Sequence, residues 1–161
     1  MLTSVRASPA TLGIRLISQL LPISRLMPFA VQQALLEPLL DRLLAGPLAA
    51  GELDMLRGRW LQLTVTDLGL SWCVSRDRQG LRIRQNPVAD ACISGDWRDF
   101  FLLASRQEDA DNLFFCRRLQ LSGDTELGLA VKNLLDSLDP EHLPPRLWRS
   151  LQALGQAAQR L

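Results

Sequence analysis

Apolar side chains recur at two different spacings along this chain, and the switches between them divide it into parts. From about residue 11 to 45 the spacing is helical: Leu12, Leu16, Leu20 and Ile23 fall on one face, and Val31, Leu35, Leu39 and Leu43 form a second run starting near Pro28. Pro38 lies inside that second run and has no amide hydrogen to donate, so a kink or a break is expected there. Gly46-Pro47 ends the run, and a short helical piece over 48–56 leads to Gly58.

From Trp60 the spacing becomes two. Leu61, Leu63 and Val65 alternate with Gln62, Thr64 and Thr66; after the turn at Asp67-Leu68-Gly69, Leu70, Trp72 and Val74 alternate with Ser71, Cys73 and Ser75. A polar turn over 76–80 precedes Leu81 and Ile83, and Ala89, Ala91 and Ile93 follow the interruption at Asn86-Pro87. Four strands on short turns predict an antiparallel meander with one dry and one wet face, without a parallel βαβ unit. Asp96, with Asp99 three residues on, resembles a capping box opening a helix that holds Trp97, Phe100, Phe101 and Leu103.

The segment 113–138, LFFCRRLQLSGDTELGLAVKNLLDSL, returns from strand to helix. Leu119 and Leu121 alternate with polar residues, Gly123 makes a corner, and Asp124 is placed to cap a helix with Glu126 in its first turn. Leu127, Val131, Leu134, Leu135 and Leu138 then recur at helical spacing, so an apolar helix drops onto the apolar side of the sheet. Four of the five phenylalanines, Phe100, Phe101, Phe114 and Phe115, fall in one sixteen-residue window. They serve either as ordinary core or as the wall of an apolar ligand cavity, because both demand the same residue types. A final amphipathic helix carries Leu143, Leu147, Leu151, Leu154, Ala158 and Leu161 on one side; it suits a membrane interface, a lid or a dimer contact.

Composition narrows the function. A chain of 161 residues with 47% hydrophobic and 22% charged side chains can bury a core and is not disordered. A net charge of +1, with no basic run interleaved with stacking aromatics, argues against nucleic acid. The 17 arginines and single lysine nonetheless leave both ends locally cationic: residues 1–36 and 143–161 contain no acid. Arg15, Arg25, Arg146, Trp148 and Arg149 are the candidates for contact with an anionic membrane surface. Arg15, Arg25, Pro22 and Pro28 interrupt the apolar N-terminus, so the chain reads as neither exported nor membrane-spanning. Cys73, Cys92 and Cys116 form no CxxC pair and are expected to be reduced cytoplasmic thiols.

Candidate chemistry changes little. The one histidine, His142, lies in a proline-flanked connection, and no GxSxG, Walker or GxGxxG motif occurs. No catalytic residues, metal ligands or cofactor are expected, and the chain reads as a binding protein rather than an enzyme.

The order of helices, meander, Phe-Phe helix, strand and GDTELGLAVKNLLDSL resembles the sterol carrier protein type 2 (SCP2) family over nearly the whole chain. More narrowly, GELDMLRGRWLQLTVTDLGLSW at 51–72 with DADNLFFCRRLQLSGDTELGLAVKNLLD at 109–136 is similar to the bacterial accessory factors of ubiquinone biosynthesis within it. The resemblance implies an α+β fold: a five-stranded, mostly antiparallel sheet covered by helices, holding lipid in an apolar cavity. Residues 1–50 would be an N-terminal helical extension, 51–139 the lipid-binding domain and 140–161 a C-terminal amphipathic helix.

The resemblance also implies a non-enzymatic role in oxygen-independent ubiquinone synthesis, beside hydroxylation proteins related to peptidase family U32. The chain would sit in the cytoplasm, peripheral to the inner membrane, with no nucleic-acid partner. The ligand would be an isoprenoid quinone precursor; the alternative is a general phospholipid carrier or membrane-lipid sensor using the same cavity. The candidate lining is Leu63, Val65, Trp72, Val74, Ile83, Phe100, Phe101, Phe114 and Leu121, roofed by Leu127, Val131, Leu134 and Leu135. About ten buried methylenes would supply on the order of 8 kcal/mol before ordering costs, without one hydrogen bond.

Overall fold

The computed structural model describes residues 12, 13, 15, 16, 19, 26–85, 87–137 and 144–160. The expectations for Leu20, Ile23, Arg25, Leu138, His142, Leu143 and Leu161 lie outside them, as does the side chain of Leu147. Helix α1 (Phe29–Leu43) and the short α2 (Ala45–Ala50) lead through a 3₁₀ turn (Asp54–Leu56) into β1 (Leu61–Val65), β2 (Leu70–Arg76), β3 (Leu81–Arg84) and β4 (Ala91–Gly95). Helices α3 (Trp97–Ala104) and α4 (Ala110–Phe115), strand β5 (Leu119–Gly123), and helices α5 (Thr125–Ser137) and α6 (Pro145–Gln159) complete the described chain. The result is the expected α+β arrangement, a five-stranded sheet flanked by helices.

The sheet order is β3-β2-β1-β4-β5, with β1 and β4 parallel and every other pair antiparallel. The meander therefore ends after three strands, and β4 crosses to the far side of β1. One reason lies in α1. Glu37 Oε1 accepts the Ile83 N–H at 2.9 Å and Asp41 Oδ1 accepts the Leu81 N–H at 2.9 Å. The outer edge of β3 is thus occupied by carboxylates one helical turn apart, which leaves no ladder for a fourth strand there. A second clamp holds β4 beside β1: Trp60 N–H donates to Asp90 Oδ2 at 2.7 Å, and Asp90 N–H donates to the Trp60 carbonyl at 2.8 Å.

Helix α1 runs through Pro38 without a break, and its inward face differs from the one spacing predicts. Phe29, Leu36 and Leu40 pack on the main core, whereas Val31, Leu35 and Leu39 are 44, 60 and 44% exposed. Both stripes are apolar. The choice falls to the polar partners: Glu37 and Asp41 must reach β3, and Gln32 Oε1 accepts the Trp72 indole N–H at 2.8 Å.

Asp96 precedes α3 without capping it. Its carboxylate accepts from Thr66 Oγ1 at 2.7 Å, and the Trp97 N–H is met instead by Asp67 Oδ1 at 3.1 Å. Asp124 does cap α5, its Oδ1 accepting the Leu127 N–H at 3.1 Å. Immediately before it Gly123 has φ +84, and a β-carbon there would lie 2.5 Å from the Asp90 carbonyl oxygen. Backbone cannot yield as a side chain can, so Gly123→Ala is expected to cost about 1–3 kcal/mol. The measurement is the urea midpoint, which should fall at unchanged m-value.

Helix α6 docks by its C-terminal half. Ala157 and Ala158 are buried against Leu102 of α3, Arg98 Nη2 donates to the Ala158 carbonyl at 2.5 Å, and Gln159 Nε2 donates to the Gln107 carbonyl at 3.1 Å. None of Cys73, Cys92 and Cys116 is in a disulfide. Among the described residues no helix is long and apolar enough to cross a membrane, and no cluster of candidate metal ligands occurs.

Candidate functional site: an apolar layer between sheet and helix

One face of the sheet is apolar across all five strands. The registers align Leu63 with Trp72 and Ile93, Val74 with Leu61 and Ile83, and Ile93 with Leu121. Side chains of paired residues stand on the same face, so these strands make one continuous oily floor. Gln62, Thr64 and Ser71 occupy the opposite face, where Gln62 Nε2 donates to Ser71 Oγ at 2.8 Å.

Helix α5 roofs the floor from the β4–β5 side. Leu127, Val131 and Leu134 are buried in the same cluster as Leu61, Val74, Ile83 and Ile93. Gly128 permits the close approach: a β-carbon there would meet Leu121 Cδ1 at 2.2 Å. Helix α1 closes the β3 side with Leu36 and Leu40.

The sequence-predicted lining divides three ways. Val65, Val74, Ile83, Leu127, Val131 and Leu134 are fully buried. Leu63, Trp72, Phe100, Phe114, Leu121 and Leu135 pack on the same apolar layer yet remain half-accessible. Phe101 stands apart, turned with Trp97 toward α6, their ring centroids 6.2 Å apart. On α3, Phe100 and Phe101 are neighbours about 100° apart around the helix axis, so only one of them can face the sheet.

Phe114 and Leu121 open on a groove of about 690 Å³ at the outer edge of β5, completed by the apolar Phe115, Leu119 and Leu129 and by the polar Asp111, Arg117, Gln120 and Lys132. Its volume falls in the range of small-molecule sites. Phe115 is 88% and Leu129 48% exposed. Spacing did not single out these two as lining, since both point away from the packed faces of α4 and α5. Lys132 stands at the rim paired with Asp111, and that hydrogen bond holds its ammonium above the ordinary lysine value. A slightly larger depression of about 730 Å³ is lined by Asp96, Arg98, Asp99, Glu108, Arg118 and Gln159 with only Leu102 apolar. An aliphatic tail there would strip water from ions and gain little in return, so the β5 groove is the more apolar of the two depressions.

Of the terminal residues considered for a membrane surface, Arg15, Arg146 and Arg149 are exposed and Trp148 is half-buried. The exposed stripe Val31, Leu35 and Leu39, with Leu26 and Met27 ahead of it, adds an outward apolar strip beside them in sequence.

Residues 37–136 match the family model described as the SCP-2 sterol transfer family. The chain belongs to this family. Within it, the chain is 42% identical over 155 residues to the ubiquinone biosynthesis accessory factor UbiT of Escherichia coli strain K12, covering 96% of this chain and 87% of that protein. The same figures hold for UbiT of E. coli O157:H7. Among solved structures, the "UbiJ-SCP2 Ubiquinone synthesis protein" superposes with a TM-score of 0.56 over 68% of this chain and 93% of that one. At 22% identity that likeness establishes the SCP2 fold alone.

Proposed function

We propose that this chain is a non-enzymatic lipid-binding accessory factor of oxygen-independent ubiquinone biosynthesis, which shelters a prenylated quinone precursor on the apolar layer between sheet and α5. One observation carries the reading. Six large side chains that pack on that layer, Leu63, Trp72, Phe100, Phe114, Leu121 and Leu135, are only partly buried, where a finished core would bury them fully. An acyl or prenyl tail laid across them would complete the burial, each methylene contributing about 0.8 kcal/mol. Likeness to the UbiT proteins directs the ligand toward the quinone pathway.

In this reading residues 51–139 hold the lipid, and the segments 1–50 and 140–161 serve contact with the membrane. Arg15, Arg25, Arg146 and Arg149 meet anionic head groups, while Val31, Leu35 and Leu39 enter the interface. The chain would work in the cytoplasm at the inner membrane and pass its cargo to hydroxylation proteins related to peptidase family U32. In this reading the chemistry on the ring belongs to those partners.

The test is complementation. Bacteria lacking their own factor of this kind and grown without oxygen should regain ubiquinone when supplied with this chain. If ubiquinone returns only in aerated cultures, or phospholipid composition alone changes, the general phospholipid carrier is the better reading.

A further inference from the structure

We propose that the outer edge of β5 is a self-association surface, on which a second copy of this chain pairs antiparallel to extend the sheet across a two-fold axis near Leu121. The two edges of the sheet are treated differently. At β3, Glu37 and Asp41 cap the outward N–H groups of Ile83 and Leu81. At β5, among the described residues, no strand and no capping side chain meets the outer edge.

The ladder shows which groups are left over. Asp124 N–H donates to the Asp90 carbonyl at 2.7 Å, so position 124 faces β4. Parity along an antiparallel strand then turns Gln120 and Ser122 toward β4, and Leu119, Leu121 and Gly123 toward the open edge. An extended backbone is the occupant that satisfies such a row of donors and acceptors.

Charge selects a second copy, and in one orientation. The exposed Arg117 stands just before the strand and the exposed Glu126 just past its end, whereas Arg118 is engaged by Asp99 and Glu108 and Asp124 caps α5. Antiparallel self-pairing centred on Leu121 sets each copy's basic end beside the other's acidic end, whereas a parallel arrangement would stack arginine on arginine. Leu119 would face Gly123 of the second copy and Leu121 would face its own equivalent, giving about six backbone hydrogen bonds. The exposed Phe115 and Leu129 flank the same edge and would be drawn out of water.

Arg117 and Glu126 are both exposed and lie outside the packed core, which makes them the handle for a test. Sedimentation velocity of the full chain over a concentration series should show a monomer–dimer equilibrium. Arg117→Glu alone and Glu126→Arg alone should each weaken it at least roughly tenfold, since each substitution acts twice across the axis. The double variant should recover it, and a merely misfolded single variant cannot imitate that recovery. Hydrogen exchange should show the Leu119, Leu121 and Gly123 amides becoming protected as concentration rises. A chain that stays monomeric at millimolar concentration, a dimer indifferent to both reversals, or a dimer whose three amides exchange freely would each overturn the proposal.

Discussion

Replacing Arg118 by methionine is expected to cost the fold about 2–4 kcal/mol and to lower the melting temperature by roughly 5–15 °C. Arg118 Nε donates to Asp99 Oδ1 at 2.8 Å, and its Nη1 donates to both Glu108 oxygens at 2.7 and 2.8 Å. The side chains of Asp99 and Glu108 are only 11 and 19% exposed, so without the guanidinium two neighbouring carboxylates would face each other half out of water. Hydrogen bonding to Glu108, then to Asp99, holds the arginine above even its ordinary value, so it stays charged across the working pH range. Arg118 is itself 35% exposed, which keeps the estimate below that for a wholly buried pair. Adding Asp99→Asn and Glu108→Gln to the methionine variant should return part of the loss, because the stranded charges would be gone. The network joins α3 to the start of β5, so the same variant should also loosen Phe100 relative to Leu121. A melting temperature within about 1 °C of the parent would show the ion network to be ornamental.

Leu63→Asn is expected to remove bound lipid while leaving the fold standing. Leu63 sits mid-floor on β1, between Trp72 and Ile93, yet it is only partly buried. A polar amide there keeps access to water when the layer is empty, so the stability loss should stay near 1 kcal/mol. With a tail laid across it, the same amide would be buried without a partner, and retention should drop at least roughly tenfold, equivalent to about 1.4 kcal/mol. The comparison is Ile93→Asn, next to it and 1% exposed, which should cost about 3 kcal/mol or more whether or not lipid is present. Lipid content by extraction and stability by urea titration separate the cases. If Leu63→Asn destabilises as much as Ile93→Asn with lipid content unchanged, the half-accessible residues are packing and nothing more.

Much of this architecture is legible in the chain because its strongest signals are local. Period-two runs marked β1, β2 and β3, and Gly123-Asp124 ahead of the Leu127-Val131-Leu134 stripe marked α5 with its cap. What escaped was decided between distant residues. The parallel pairing of β4 with β1 depends on Glu37 and Asp41 reaching the far edge of β3, across 46 and 40 positions, and no periodicity records that. Spacing alone does not fix the inward face of α1 for the same reason: two apolar stripes compete, and partners on β2 and β3 choose between them. Asp96 and Asp99 look like a capping pair in sequence, but each is engaged elsewhere, by Thr66 and by Arg118. At the site, residue type and alternation picked out an apolar layer. Which of its members stay accessible followed only from how far α1 and α5 reach over the floor.

Native mass spectrometry of the full chain purified from bacteria grown without oxygen tests the central claim most directly, followed by organic extraction of the same sample. The account predicts a population heavier than the bare chain by one isoprenoid-bearing molecule, lost from Leu63→Asn and recovered in the extract. A chain that flies at its bare mass, yields no lipid on denaturation and takes none up from quinone-loaded vesicles would contradict it.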